Sequence, residues 1–287
     1  MIQKSSTPLK RTILASALTV GMLSAGAANA LPAITQWAAT VNSGFSAYST
    51  DDPSKGGPFI ASDTNPTLGL PSTLSWGVSW PLSNPQTPSS ISVAGGTNGA
   101  WAGTLNTGAA PVQTVTFSHT NNNVTGQFLK TATLFDVITL QPINPLVGPV
   151  IPAVLTFAIN FKETDNIAGT CAAASVTPCR DIFTLDITGT GLTIGADYSL
   201  NQLIKLSASP DDWYNVKLQL DGFGLLSNAE CAAAGAAIGC LGFTTEENQV
   251  TVKGASLSIQ KVPEPGILGL LGASLLGFVA TRRRKQK

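Results

Sequence analysis

The central part of the chain alternates greasy and wet residues with a period of two. In WYNVKLQLDG, Tyr214, Val216, Leu218 and Leu220 alternate with Asn215, Lys217, Gln219 and Asp221. Such a stretch places its apolar row on one face of a strand and its polar row on the other. VLTFAINFK repeats the pattern with Leu155, Phe157, Ile159 and Phe161 inward. DIFTLDI keeps Phe183, Leu185 and Ile187 in line and leaves Ile182 off-phase, and TVTFSH puts Val115, Phe117 and His119 on one side. In QVTVKGASLSIQ the parity changes between Val250/Val252 and Leu257/Ile259, which predicts a bulge at Lys253-Gly254.

Turn-formers separate these runs: SNPQTPSS, GGTNG, HTNNNVTG and SPDD. Half-buried strands punctuated this way predict an all-β fold, an antiparallel β-sandwich of jelly-roll-like form. Residues 41–73 are rich in turn residues and poor in alternation, so they are expected to be loops wrapping an edge. No linker divides the region. Long helical periodicity is confined to the two ends, and short Ala-rich segments near the cysteines could each form a helical turn or two.

At the front, Lys4, Lys10 and Arg11 precede an uncharged run from Thr12 to Ala28, and Ala28-Asn29-Ala30 supplies a small-x-small site. That order describes a secretory signal peptide over residues 1–30, cleaved after Ala30. At the back, Gly266 to Ala280 is uncharged and ends at an RRRK block. As a helix it would be about 22 Å long at 1.5 Å per residue, short for a bilayer core of roughly 30 Å. It is expected to form a weak single membrane tether whose basic end stays in the cytoplasm. The organisation expected is therefore signal peptide 1–30, β-rich domain 31–261 and tail 262–287.

Composition refines the picture. The net charge of zero conceals a basic bias at the ends. Half of the 16 basic residues lie there, whereas all 16 acids lie between Asp51 and Glu264, which leaves the middle at −8. An acidic domain lacks the basic patch that nucleic acid or an anionic membrane surface requires, so no nucleic-acid partner is expected. Four cysteines in an exported chain predict two disulfides. Three pairings are possible; the local ones, Cys171 with Cys179 and Cys231 with Cys240, are favoured. The spacings are too wide for zinc knuckles, and no metal or cofactor is expected.

The candidate chemistry is sparse. His119 is the only histidine. Ser118 beside it points to the opposite strand face, and His119 is expected to sit at a strand end and hydrogen-bond the Asn-rich turn. The acid pairs Glu163/Asp165, Asp211/Asp212 and Glu246/Glu247 read as solvated turn acids, although glycosidases use two carboxylates. Asp51, Asp52, Asp63 and Asp165 offer oxygens for calcium without matching a calcium-loop spacing. Trp76, Trp80, Trp101 and Trp213 could stack on sugar rings but more often pack a core. GGTNGAWAG lacks the Lys-Ser/Thr of a phosphate loop. No enzyme is read from the sequence.

Val262-Pro263-Glu264-Pro265, the short apolar segment and the basic cluster together resemble the PEP-CTERM sorting signal of Gram-negative bacteria. That resemblance implies recognition of Pro263, Glu264 and Pro265 by an exosortase and transient anchoring in the inner membrane through the C-terminal helix. Tail removal and transfer to the cell surface or matrix, in association with exopolysaccharide and biofilm, would follow. The middle is similar to the THxN group of such proteins, with Ser118, His119, Thr120 and Asn121 at the name-giving motif and FKETDN, CRDIFTL and CLGFTTEEN as further blocks. The expected function is a non-enzymatic exported surface or matrix protein; alternatives are a carbohydrate-binding module using exposed Trp or Tyr, and a matrix-polymer hydrolase.

Overall fold

A computed structural model describes residues 33–82, 85–164, 171, 179–187, 190, 192–195, 197–206 and 213–263. The expected signal peptide with Ala28 and Ala30, and the tail from Glu264 on, lie outside the described residues. The strands, in chain order, are β1 (Gln36–Thr50), β2 (Phe59–Thr64), β3 (Pro71–Trp76), β4 (Val78–Ser79), β5 (Ser89–Ala94), β6 (Ala100–Asn106), β7 (Val112–Asn121), β8 (Val124–Thr125) and β9 (Leu129–Asn144). They continue with β10 (Ile151–Lys162), β11 (Asp181–Asp186), β12 (Thr193–Ile194), β13 (Leu200–Lys205), β14 (Trp213–Asp221), β15 (Gly224–Leu225), β16 (Leu241–Thr245) and β17 (Gln249–Lys261). Among the described residues there is one α-helix, α1 (Asn228–Ala233), which leads into the Cys231–Cys240 loop.

Two antiparallel sheets face each other as a β-sandwich. The first has the order β15-β16-β11-β10-β9-β1-β6, the second β12-β13-β14-β17-β7-β5-β3-β2, and β4 pairs with β8 separately. The inward rows read from the sequence are the buried ones: Leu155, Phe157, Ile159 and Phe161 on β10, Phe183 and Leu185 on β11, and Tyr214, Val216 and Leu218 on β14. Each lies almost wholly out of water, the condition under which a large apolar side chain contributes about 1.5–3 kcal/mol. Ile182, off-phase, packs instead with Ala234 and Leu226 beside α1. That helix starts at a capping box: the Ser227 hydroxyl accepts from the Glu230 N–H and the Glu230 carboxylate accepts from the Ser227 N–H.

Two expectations are corrected. Residues 41–73 are not an edge loop: β1 lies inside the first sheet between β9 and β6, and its inward row is Trp37, Ala39, Val41, Ser43 and Phe45. The small members of that row muted the alternation. What does wrap is 65–71, which covers the outer side of β1. There the Asn65 amide donates to the Ser43 carbonyl, and a Cβ on Gly44 would stand 2.8 Å from Leu70 Cβ. The bulge is also misplaced. The register steps from Gly254–Thr116 to Ser256–Gln113, so the extra residue belongs to β7, where Thr114 and Val115 are both buried. β17 stays in phase, with Leu257 and Ile259 in the core and Val250 and Val252 exposed.

Chain entry and exit share one end of the sandwich. The Ile34 N–H donates to the Tyr214 hydroxyl, and Tyr214 pairs with Lys261, the last residue of β17. The Val262 N–H then donates to the Trp213 carbonyl at 2.9 Å. The opposite end of β17, Gln249, pairs with Asn121 of β7. β17 is 13 residues long from one end to the other, about 40 Å at 3.3 Å per residue.

Candidate functional site

Following each inward row one step past its apolar residues, toward the end away from the termini, brings in polar side chains. Phe117 leads to His119 and Asn121 on β7, Phe161 to Glu163 after β10, Phe183 back to Asp181 on β11, and Phe243 to Thr245 on β16. Period-two geometry keeps these residues on the inner face. All of them are buried. They converge: Asp181 pairs directly with Thr245, the His119 Nε2 stands 3.5 Å from Asp181 Oδ2, and the Asn121 amide donates to the Thr245 carbonyl at 3.1 Å. Trp76, from β3, donates its indole N–H to Glu163 Oε2 at 2.7 Å and stacks on the His119 ring with centroids 6.0 Å apart. Phe161 meets the same imidazole edge-on.

His119 therefore does not hydrogen-bond the Asn-rich turn, and Glu163 is not a solvated turn acid. Both sit in a low-dielectric pocket closed by aromatic rings. Burial holds the His119 imidazole neutral, with its pKa lowered to about 3. Burial likewise raises Asp181 to about 8, against which the Thr164 N–H and hydroxyl donate to Oδ1. Glu163 is raised well above an ordinary glutamate, by burial first and by the Asp181 charge second. Glu247, on the turn between β16 and β17, is half-buried and raised by burial as well. Both His119 nitrogens, Asn121 Oδ1 and Thr245 Oγ1 have no hydrogen-bond partner among the described residues, while the Glu163 and Asp181 carboxyls are partnered with each other, the protonated Glu163 donating to Asp181. Unmet buried groups are costly, about 1–3 kcal/mol each, and their concentration at one end sets this region apart.

The other sequence candidates scatter. Cys171–Cys179 and Cys231–Cys240 are disulfides, the local pairing. The first delivers the chain to Asp181, since the Thr164 hydroxyl donates to the Cys179 carbonyl. Asp51 is tied to Lys55 and the Phe128 N–H, and Asp52 caps the turn at Ser54. Neither faces the buried cluster. Glu246 pairs with Arg180 at 2.7 Å. Asp165, Asp211 and Asp212 lie outside the described residues. Among the described residues no group of three His, Cys, Asp or Glu side chains is placed to hold a metal ion. Trp76 is fully buried, Trp101 packs half-buried against the core, and Trp213 sits beside the exit of β17 with Lys205 over its ring. Trp80 is 58% exposed at the end that holds the polar cluster, its backbone N–H donating to the Asn123 carbonyl.

At the chain exit, Pro263 is exposed, while Glu264 and Pro265 lie outside the described residues. Among the described residues no helix is long and apolar enough to cross a membrane; the expected tether, Gly266 to Ala280, lies outside them. No curated protein matches the chain. Residues 261–285 match the family model of the PEP-CTERM protein-sorting motif. This signal marks an exported protein that is anchored transiently in a membrane and sorted by an exosortase to the cell surface.

Proposed function

We propose that the protein is a non-enzymatic surface or matrix component of a Gram-negative bacterium. An exosortase recognises it through Pro263, Glu264 and Pro265 and removes the tail, and the protein is lodged among exopolysaccharide in a biofilm. The reading rests on one observation: β17 ends at Lys261, the Val262 N–H is tied to the Trp213 carbonyl, and the residues that match the sorting motif begin at this same point. β17 is an interior strand of its sheet, so the domain is complete only when this last strand is in place. A tail attached immediately behind it can be removed without taking any strand away. The −8 charge, the shortage of basic residues and the burial of the only histidine suit a displayed scaffold better than a catalyst. Kinship with the THxN group belongs to the same reading, supported by the meeting of SHTN, FKET, CRDIF and TTEE at one end of the sandwich.

Deleting residues 263–287 tests the proposal, since it spares β17 and the Val262 contact. The truncated domain should remain folded yet fail to reach the surface; undiminished surface display would contradict it. A second reading, carbohydrate binding, is favoured by Trp80. This large exposed aromatic stands at the end away from the tether, where a polymer could reach it. Glycan-array binding lost in Trp80→Ala, with an unchanged melting temperature, would establish it; identical binding by the two proteins would remove it.

A further inference from the structure

Thr245 and Asn121 are an unusual pair to leave unmet. Both side chains are at most 1% exposed, and both Thr245 Oγ1 and Asn121 Oδ1 lack a hydrogen-bond partner among the described residues. They belong to different sheets, Thr245 to β16 and Asn121 to β7. The amide of one is nevertheless pinned against the other's backbone at 3.1 Å. Around them stand groups that can move a proton: Asp181, the direct cross-strand partner of Thr245, and His119, two residues before Asn121 on the same face and 3.5 Å from Asp181. A buried hydroxyl, a buried carboxamide and a carboxyl–imidazole pair, held together away from water, are the components of an acyl transfer.

We propose that Thr245 and Asn121 are the site of a self-catalysed intramolecular ester cross-link that joins the two sheets. The Thr245 Oγ1 attacks Asn121 Cγ, and its hydroxyl proton passes to Asp181 and on through His119. The Cγ–Nδ2 bond then breaks, and the nitrogen leaves with that proton as ammonia. One O–C bond forms, one C–N bond breaks, and no oxidant, metal or other reactant is consumed. Burial disfavours a charged imidazolium, so His119 passes the proton on without holding it, and the raised Glu163 carboxyl supplies a neutral acid against Asp181. Exclusion of water protects the ester from hydrolysis. Such a bond would tie the sheets at the end opposite the tether, and it would hold in an environment where non-covalent stability alone is marginal.

The test is peptide mapping of the purified full chain. Trypsin places Asn121 in peptide 56–130 and Thr245 in peptide 218–253. The proposal predicts one joined species, lighter than the sum of the two linear peptides by one ammonia, which hydroxylamine splits. The species should be lost in both Thr245→Ala and Asn121→Ala. Because an imide at Asn121 also loses ammonia, the joining of the two peptides is the deciding readout. The unmodified chain settles the matter without any variant: recovery of 56–130 and 218–253 as separate peptides of linear mass overturns the proposal. A joined species that survives in Asp181→Asn would remove the proton role given to Asp181.

Discussion

Each end of the sandwich is organised around a fully buried tryptophan, and the two are finished in opposite ways. At the tether end Trp37 meets Tyr214 edge-on with centroids 5.0 Å apart, and its indole N–H donates to the Thr107 hydroxyl at 2.9 Å. That hydroxyl donates in turn to the Ile34 carbonyl, and the Ile34 N–H donates to Tyr214. The polar atoms there close a short circuit. At the far end Trp76 donates to a buried carboxyl instead, and the groups beyond it carry charges to suppress and bonds still to make. The tether end is built for stability alone, whereas the far end carries an energetic cost that stability does not explain. The proposed cross-link falls at the end that carries this cost, away from the chain exit.

The comparison can be broken in several places. Trp37→Ala and Trp76→Ala should each cost about 3–5 kcal/mol, read by urea unfolding; a small loss at Trp76 would mean that its end is already loosely packed. Replacing Cys231 and Cys240 by alanine should cost about 2–3 kcal/mol, the loop-closure entropy of so short a loop, and should loosen α1 while leaving the Trp37 end protected from hydrogen exchange. Protection lost equally at both ends would argue against two separable regions.

The pH response follows from the buried acids. Asp136, inward on β9, is raised by burial to about 7, partly offset by the Ser43 hydroxyl opposite it, and Asp181 is raised to about 8. A folded-state pKa above the unfolded one means that the folded chain holds more protons. The stability is then fully present below the unfolded value of 3.8 and lost as pH rises through about 7 and about 8. His119, lowered from 6.5 to about 3, acts in the opposite sense, costing stability only as pH falls below 6.5. Between pH 6.5 and 8 the acids dominate, so denaturant midpoints should fall with pH, by up to about 1.4 kcal/mol per unit for each titrating carboxyl. Asp181→Asn and Asp136→Asn should each flatten the slope; a flat profile in the unaltered protein would contradict the assignment.

Removing only the indole N–H should separate the ends further. Trp37→Phe loses an ordinary hydrogen bond, about 0.5–1.5 kcal/mol, whereas Trp76→Phe leaves a buried carboxyl oxygen without its donor, about 1–3 kcal/mol. Equal losses would erase the distinction. Trp80→Ala, at an exposed position, should change stability by less than about 0.5 kcal/mol and register only in polymer binding.

How much of this the sequence discloses depends on side-chain size. β10, β11 and β14 alternate bulky aliphatic and aromatic residues with polar ones, and their inward rows are plain in the string. β1 hides because Ala39 and Ser43 occupy inward positions and because 65–71 buries part of its other face, so neither face looks like solvent. The glycine that suggests a bulge lies on β17, while the extra residue is on its partner β7. The far cluster was legible in principle. His119, Asn121, Glu163, Asp181 and Thr245 all continue an inward row in phase. Reading Glu163 as a solvated turn acid and His119 as facing the Asn-rich turn keeps the rows apart, and only the sheet pairing shows that these ends meet.

Delivery of this sandwich by a removable tail is open to mass spectrometry of protein recovered from the cell surface. The mature chain should begin at Leu31 and end near Pro263-Glu264-Pro265, with β17 whole. A surface-recovered chain that still carries Lys287 would contradict it.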